Sequence, residues 1–210
     1  MEPIRKVKLQ IQVTVDGFIC GPNGEMDWMV SEWDEALKIY TGELTSSVDT
    51  FLMGRATGEG MAIYWPTVAG NPESSEEDKW MAERLNSFPK VVFSRTISHI
   101  DWNNARIAND IVTEVQELKK EPGQHIMIYG GAGIVSSFIS ENLIDEYHLF
   151  INPVAIGKGK PIFDQVNNSL KLKLVKTTVS TTGIVIHQYI PQKESTVRSP
   201  VKKDYYQTVD

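Results

Sequence analysis

Between residues 7 and 15 the chain alternates strictly: Val7, Leu9, Ile11, Val13 and Val15 are apolar, and Lys8, Gln10, Gln12 and Thr14 stand between them. A period of two sends successive side chains to opposite faces, so the segment predicts a β-strand buried on one side. The pattern breaks at Asp16-Gly17 and again at Gly21-Pro22-Asn23-Gly24, residue types that favour a turn or mobile loop able to cover a site. Trp33, Leu37, Tyr40 and Leu44 then recur at helical spacing, which predicts a helix over 31–44 with Ser31 or Asp34 as its N-cap. A β-rich run at 48–53 ends in Gly54-Arg55. Residues 57–63 carry a weaker helical pattern, and Pro66, Gly70 and Pro72 predict an exposed connection over 65–75. Ser75 followed by Glu76, Glu77 and Asp78 reads as a cap and an acidic first turn, suited to the positive end of a helix that runs to about residue 86.

The order repeats downstream. Residues 90–94 predict a strand and 110–120 a helix, and 125–129 predict a further strand that feeds Gly130-Gly131-Ala132-Gly133 into a helix over 134–141. Strand followed by helix, several times over, predicts an α/β layer architecture on a largely parallel sheet. After Asp145 the grammar changes: 147–151 is a strand, and 170–180 and 183–190 flank Thr181-Thr182-Gly183 as an antiparallel hairpin. The expected sheet is therefore mixed, mostly parallel with an antiparallel C-terminal hairpin, in one domain over residues 1–191. A polar tail over 192–210, with Lys193, Glu194, Arg198, Lys202 and Lys203, shows no apolar period.

Composition narrows the partners. Across 210 residues, 21 basic side chains against 27 acidic ones leave a net charge of −6, which offers no global attraction to nucleic acid or anionic lipid. No apolar run is long enough to span a membrane. Cys20 is a lone cysteine and no leader pattern opens the chain, so the expected compartment is the reducing cytoplasm. His99, His125, His148 and His187 are isolated in sequence, and no metal centre is expected. The residue patterns of a zinc deaminase and of a serine hydrolase elbow are both missing.

The chemistry that remains is a glycine turn. Glycines between a buried strand and a helix let backbone N–H groups approach a phosphate, and the helix start adds partial positive charge. Arg55 and Arg95 each follow the end of a predicted strand, where open α/β sheets bind ligands, and Ser94 and Thr57 add hydroxyls. A phosphorylated dinucleotide suits such a crevice, because guanidinium pairs bidentately with a terminal phosphate.

Five ordered marks carry a resemblance. They are Thr14-Val15-Asp16-Gly17, then Met53-Gly54-Arg55-Ala56-Thr57, then Val91-Val92-Phe93-Ser94-Arg95, then Tyr129-Gly130-Gly131-Ala132-Gly133, and finally Leu143-Ile144-Asp145-Glu146 through Pro153, Gly157-Lys158-Gly159 and Pro161-Ile162-Phe163. With them the chain resembles the dihydrofolate-reductase-like superfamily, most closely the reductase domain of bacterial riboflavin biosynthesis and its stand-alone relatives. The resemblance implies a three-layer α-β-α fold, a homodimer, and NADPH as cofactor for hydride transfer to a C=N or C=O bond of a small heterocyclic or nucleotide-like molecule. The ribosylamino-pyrimidine of riboflavin biosynthesis is the first candidate. It further implies that Gly130, Gly131, Ala132, Gly133 and Ile134, with Tyr129 before them, hold the pyrophosphate. Gly54, Arg55 and Thr57 would also face the phosphates, Ser94 and Arg95 the adenosine end with its 2′-phosphate, and Ile19 the nicotinamide. Thr14 and Asp16 match family residues beside the substrate. Where dihydrofolate reductases place one buried carboxylate this sequence offers Asp27, Glu32 and Asp34; Asp27 and Trp28 complete the substrate-binding set, Trp28 as an apolar wall for a planar ring. The alternatives are a dihydrofolate reductase and a nucleotide-binding module without catalysis.

Overall fold

The computed structural model describes residues 4–167 and 169–192, so the expected tail lies almost wholly outside the described residues. In chain order the elements are β1 (Val7–Thr14), β2 (Phe18–Cys20), α1 (Glu35–Ser46), β3 (Val48–Gly54), α2 (Arg55–Gly70), α3 (Glu76–Ser87), β4 (Lys90–Phe93) and β5 (Ala105–Ala108). They continue with α4 (Ile111–Leu118), β6 (His125–Ile128), α5 (Ala132–Ser140), β7 (Glu146–Asn152), β8 (Lys160–Pro161), β9 (Leu172–Val179) and β10 (Val185–Pro191). Eight strands form one sheet in the order β5-β4-β3-β6-β1-β7-β10-β9. Every pairing from β5 to β7 is parallel, and β10 runs antiparallel to both β7 and β9. The small β2–β8 pair sits apart.

Both faces of the sheet are covered, as parallel strands joined by helices require. On one face Val7, Leu9, Ile11 and Val13 of β1 pack with Val115 and Leu118 of α4 and with Val135, Phe138 and Ile139 of α5. On the other, Phe51, Met53, Met127 and Phe150 pack with Leu37, Tyr40 and Leu44 of α1 and Leu85 of α3. The result is three layers.

That coverage corrects the reading of β1 as a strand with one wet side. It lies between β6 and β7, and its polar residues face α1 rather than water. Lys8 is buried, donating to Ser47 Oγ at 2.9 Å and facing Glu146 Oε2 at 3.8 Å. Glu146 also takes Lys6 Nζ at 2.7 Å and stands 3.5 Å from His148 Nε2, and the Tyr40 hydroxyl meets His148 Nδ1 at 2.7 Å. His148, then the two lysines, hold the Glu146 carboxyl down at about 2, against the burial that opposes them. A buried polar stripe is tolerated here because Lys8, Lys6, Glu146 and the Tyr40–His148 pair bond within it, His148 Nε2 alone being left without a hydrogen-bond partner.

Three further differences have physical reasons. Of the segment expected as an exposed connection, residues 65–70 belong to α2, which runs through Pro66 without ending, and 71–75 form the connection. An interior proline costs about 3 kcal/mol, which is offset by burying Met61, Ala62, Trp65 and Val68 along one face. β5 escapes the periodicity test because it is a four-residue edge strand, and it pairs with β4 from Lys90↔Ala105 to Phe93↔Ala108. The first helix begins at Asp34, not Ser31: Asp34 accepts from the Leu37 N–H at 3.0 Å and from the Thr181 N–H at 2.7 Å. Those two N–H groups hold its carboxyl at about 2.

Candidate functional site

The carboxyl ends of β4, β3 and β6 lie side by side, and two helices start directly from them. Gly54 is the N-cap of α2 and Gly131 that of α5, and neither helix has a side chain capping its first turn. Two sets of free N–H groups, each with about half a unit of positive charge, are therefore presented at one edge. They are also close together. Gly54 N–H donates to Gly130 O at 3.4 Å, a Cβ placed on Gly131 would stand 3.3 Å from Thr57 Oγ1, and one on Gly54 would stand 3.2 Å from Ile134 Cγ2. Gly131 holds φ at +82°, a region that side chains disfavour, so the turn needs glycine both for conformation and for approach.

The basic residues flank this cradle unequally. Arg55 opens α2, but its guanidinium is bound to the Glu59 carboxylate one turn on, at 2.9 and 3.2 Å. Arg95 is exposed and makes no ion pair among the described residues. Its loop is shaped by Ser94, whose hydroxyl accepts from the Thr96 N–H at 3.1 Å and the Ile97 N–H at 3.2 Å. Ile19 is buried in the core shared by β1 and α5. Ile134 is half-buried against both glycine turns. Tyr129 points the other way: its ring stacks on Phe51 with centroids 5.4 Å apart.

On that other face a cavity of about 980 Å³ opens between the sheet and helices α1, α2 and α3. Gln10 of β1 and Tyr129 at the end of β6 form its floor; Trp33, Lys38 and Thr41 stand on the α1 side, Met61 and Trp65 on α2, and Trp80 and Met81 on α3. Burial pushes the Tyr129 phenol up to about 12, so it keeps its proton at neutral pH. Gln10 Oε1 and Thr41 Oγ1 are both buried with no hydrogen-bond partner. Carboxylates of Glu32, Glu76, Glu77 and Asp78 mark the rim. Because Tyr129 precedes Gly130, the cavity and the cradle meet across a single peptide bond.

None of Thr14, Asp16, Asp27 and Trp28 lines this cavity. Thr14 is buried at the end of β1, where its hydroxyl accepts from the Phe18 N–H at 2.9 Å. Asp16 clamps a distant loop, accepting from the Gly157 N–H at 2.7 Å and the Ile156 N–H at 3.1 Å. Its carboxyl is held below the usual range by the Thr14 hydroxyl first and by those N–H groups next. Asp27 is exposed, and Trp28 is half-buried with its Nε1 unpartnered. Of the residues that do line the cavity, only Glu32, among the acids before the first helix, and Tyr129, part of the glycine turn, stand out as site candidates in sequence; Gln10, Ser31, Trp33, Ser75, Glu76, Glu77 and Asp78 read there only as strand, cap or helix positions. Gln10 and Thr41 carry no signal of their own, since a polar residue in an alternating strand and a threonine in a helix are both ordinary. Among the described residues no group of three or more His, Cys, Asp and Glu side chains is placed to hold a metal, and no helix is long and apolar enough to cross a membrane.

Comparison with known proteins agrees with this architecture. The family model of the RibD C-terminal domain matches residues 5–186. The uncharacterized protein YyaP of Bacillus subtilis (strain 168) is 39% identical over 181 residues, 86% of this chain and 92% of that protein. Among solved structures, a putative riboflavin biosynthesis protein from Shewanella sp. PV-4 superposes with a TM-score of 0.66 at 21% identity, over 90% of this chain and 99% of that one. A dihydrofolate reductase from Enterococcus faecalis, complexed with NADP(H), superposes with a TM-score of 0.58 at 15% identity, over 90% and 97%. The fold is dihydrofolate-reductase-like, as the five ordered marks imply.

Proposed function

The chain belongs to the RibD C-terminal domain family, a reductase-like domain, and we propose that it is an NADPH-dependent reductase acting on a C=N or C=O bond of a small heterocyclic molecule. The observation that carries this reading is the junction at Tyr129 and Gly130, where an anion cradle adjoins a cavity of about 980 Å³ walled by tryptophans. The cradle fits a pyrophosphate: two helix N-termini without side-chain caps converge on it, and Gly131 leaves room for close approach. Gly54, Thr57 and residues 130–134 would hold the phosphates, and Arg95 is the guanidinium available to a 2′-phosphate.

When bound, a reduced nicotinamide supplies hydride, and the protein's share is to align, orient and exclude water. Ile19, the residue expected at the nicotinamide, packs in the core with β1 and α5 on the sheet face away from the cavity, so it is assigned no contact with the acceptor. In that reaction hydride would add to the acceptor carbon and a proton to its heteroatom. Gln10, Thr41 and the tryptophans of the cavity orient the acceptor; Thr14 and Asp16 hold the turn after β1 and its contact with residues 156–157, and neither they nor Asp27 and Trp28 line its walls.

The test is NADPH oxidation, followed by absorbance, against a panel that includes 5-amino-6-(5-phosphoribosylamino)uracil, its unphosphorylated nucleoside and dihydrofolate. Acceptor-dependent oxidation supports the reading. Tight NADPH binding with no oxidation on any flat heterocycle would instead favour a nucleotide-binding module.

A further inference from the structure

Resting on the reductase reading, we infer that the cavity takes an unphosphorylated flat heterocycle, neutral or cationic, that offers N–H donors to Gln10 and Thr41. Among the described residues lining the cavity Lys38 is the one cation, and it faces Glu77 Oε1 at 3.7 Å. Glu76 is paired with Lys79 at 3.0 Å, and Glu32 and Asp78 have no ion pair among the described residues. The positive end of α3, which would otherwise attract an anion, is covered by its own acidic first turn and the Ser75 cap. A phosphate dianion entering here meets carboxylates with no uncommitted cation to receive it, whereas a neutral or protonated ring meets no such barrier.

Hydrogen bonding points the same way. Thr41 is only 6% exposed, yet its hydroxyl has no partner, and neither does the buried Gln10 carbonyl oxygen. Buried polar atoms left unpaired are costly, and two of them on one cavity wall are explained by a ligand that completes their bonds. An amide oxygen needs a donor, which a ring N–H or exocyclic amine supplies and a phosphate oxygen does not. Trp33, Trp65 and Trp80 add flat apolar surface, whose faces attract cations as well as rings.

The experiment measures quenching of tryptophan fluorescence in the full chain by two probes: 5-amino-6-ribosylaminouracil and its 5′-phosphate. The nucleoside is expected to bind at least ten-fold more tightly than the phosphate. Thr41→Val and Gln10→Leu should each weaken it about ten-fold, with Thr41→Ser restoring affinity, and the double change Glu32→Lys with Asp78→Lys should shift preference toward the phosphate. Equal or tighter binding of the phosphate by the unaltered chain, or quenching by neither probe, overturns the proposal. NADPH binding is followed separately by its effect on melting temperature. Nucleoside binding without an NADPH effect would sink the reductase reading and leave the cavity assignment standing.

Discussion

The sharpest test of the cradle is Gly131→Ala, because the structure separates its cost in stability from its cost in binding. Gly131 holds φ at +82° and ψ at 120°, outside the left-handed helical well, and an alanine there loses about 1–3 kcal/mol. The added methyl also stands 3.3 Å from Thr57 Oγ1, so that side chain must yield by a few tenths of an ångström. For a domain of this size about 1 kcal/mol lowers the melting temperature by about 2–4 °C, so the free variant should melt about 2–12 °C below the parent. Binding is affected separately. Displacing one N–H that donates to a charged oxygen costs about 1.5–3 kcal/mol, or roughly ten- to a hundred-fold in affinity.

With NADPH at about a hundred times its dissociation constant, the parent gains about 2.7 kcal/mol and its melting point rises by about 5–11 °C. A variant that binds a hundred-fold more weakly keeps only about 0.4 kcal/mol at the same concentration, a rise of about 1–2 °C. Gly183→Ala is the control: φ is +89° there and the new methyl meets Pro153 Cγ at 3.1 Å, in the hairpin turn between β9 and β10. It should melt early and still show the full NADPH effect. A Gly131→Ala protein that keeps the parent's NADPH shift would refute the reasoning, since the turn would then be a folding device only.

Arg95→Ala should weaken NADPH about ten-fold or more and leave NADH nearly unchanged, while Arg55→Ala should do less because that guanidinium is already held by Glu59; isothermal titration of both cofactors decides it, and equal losses with NADH would remove Arg95 from the 2′-phosphate. Glu146 titrates near 2 when folded against 4.5 when free, so its stabilisation is full above about pH 4.5 and disappears as pH falls toward 2. That is worth at most about 3 kcal/mol, and Glu146→Gln should flatten the fall in melting temperature expected of the parent between pH 5 and 3; an unchanged acid profile would place the acid sensitivity elsewhere. The homodimer implied by the resemblance is expected to use β9, an edge strand with Leu174, Val175 and Val179 about half exposed or more. Light scattering should give twice the chain mass for the parent and the single mass for Val175→Lys with Val179→Lys, and a monomeric parent would discard the expectation.

Much of the layered fold is legible in sequence because its signals are local. Asp34, Ser75 and Asp110 each sit where a helix begins and accept an N–H from three residues on. The glycine turn after His125–Ile128 stands between a strand and a helix, as its neighbours require. What periodicity misses is whatever depends on a partner distant in sequence. Pro66 signals a break in any local reading, and only the surface buried by Met61, Trp65 and Val68 carries α2 through it. β2 and β8 are too short to announce themselves and exist only as each other's partners.

The cavity shows the same divide at the level of chemistry. Alternation along β1 separates Gln10 from Leu9 and Ile11, and a two-sided strand puts that polar position under a helix instead of in water. Lys8 finds Ser47 and Glu146 there, Gln12 takes the Asn152 amide at 2.6 Å and Thr14 the Phe18 N–H at 2.9 Å, so three of the four polar positions are satisfied from within. Gln10, between them and beside His148 in the register of β1 with β7, has an oxygen with no partner. A strand that pairs its other polar side chains with such economy has no folding reason to leave that one bare, which is why the vacant bond is better explained by a molecule the protein binds than by a defect in its core.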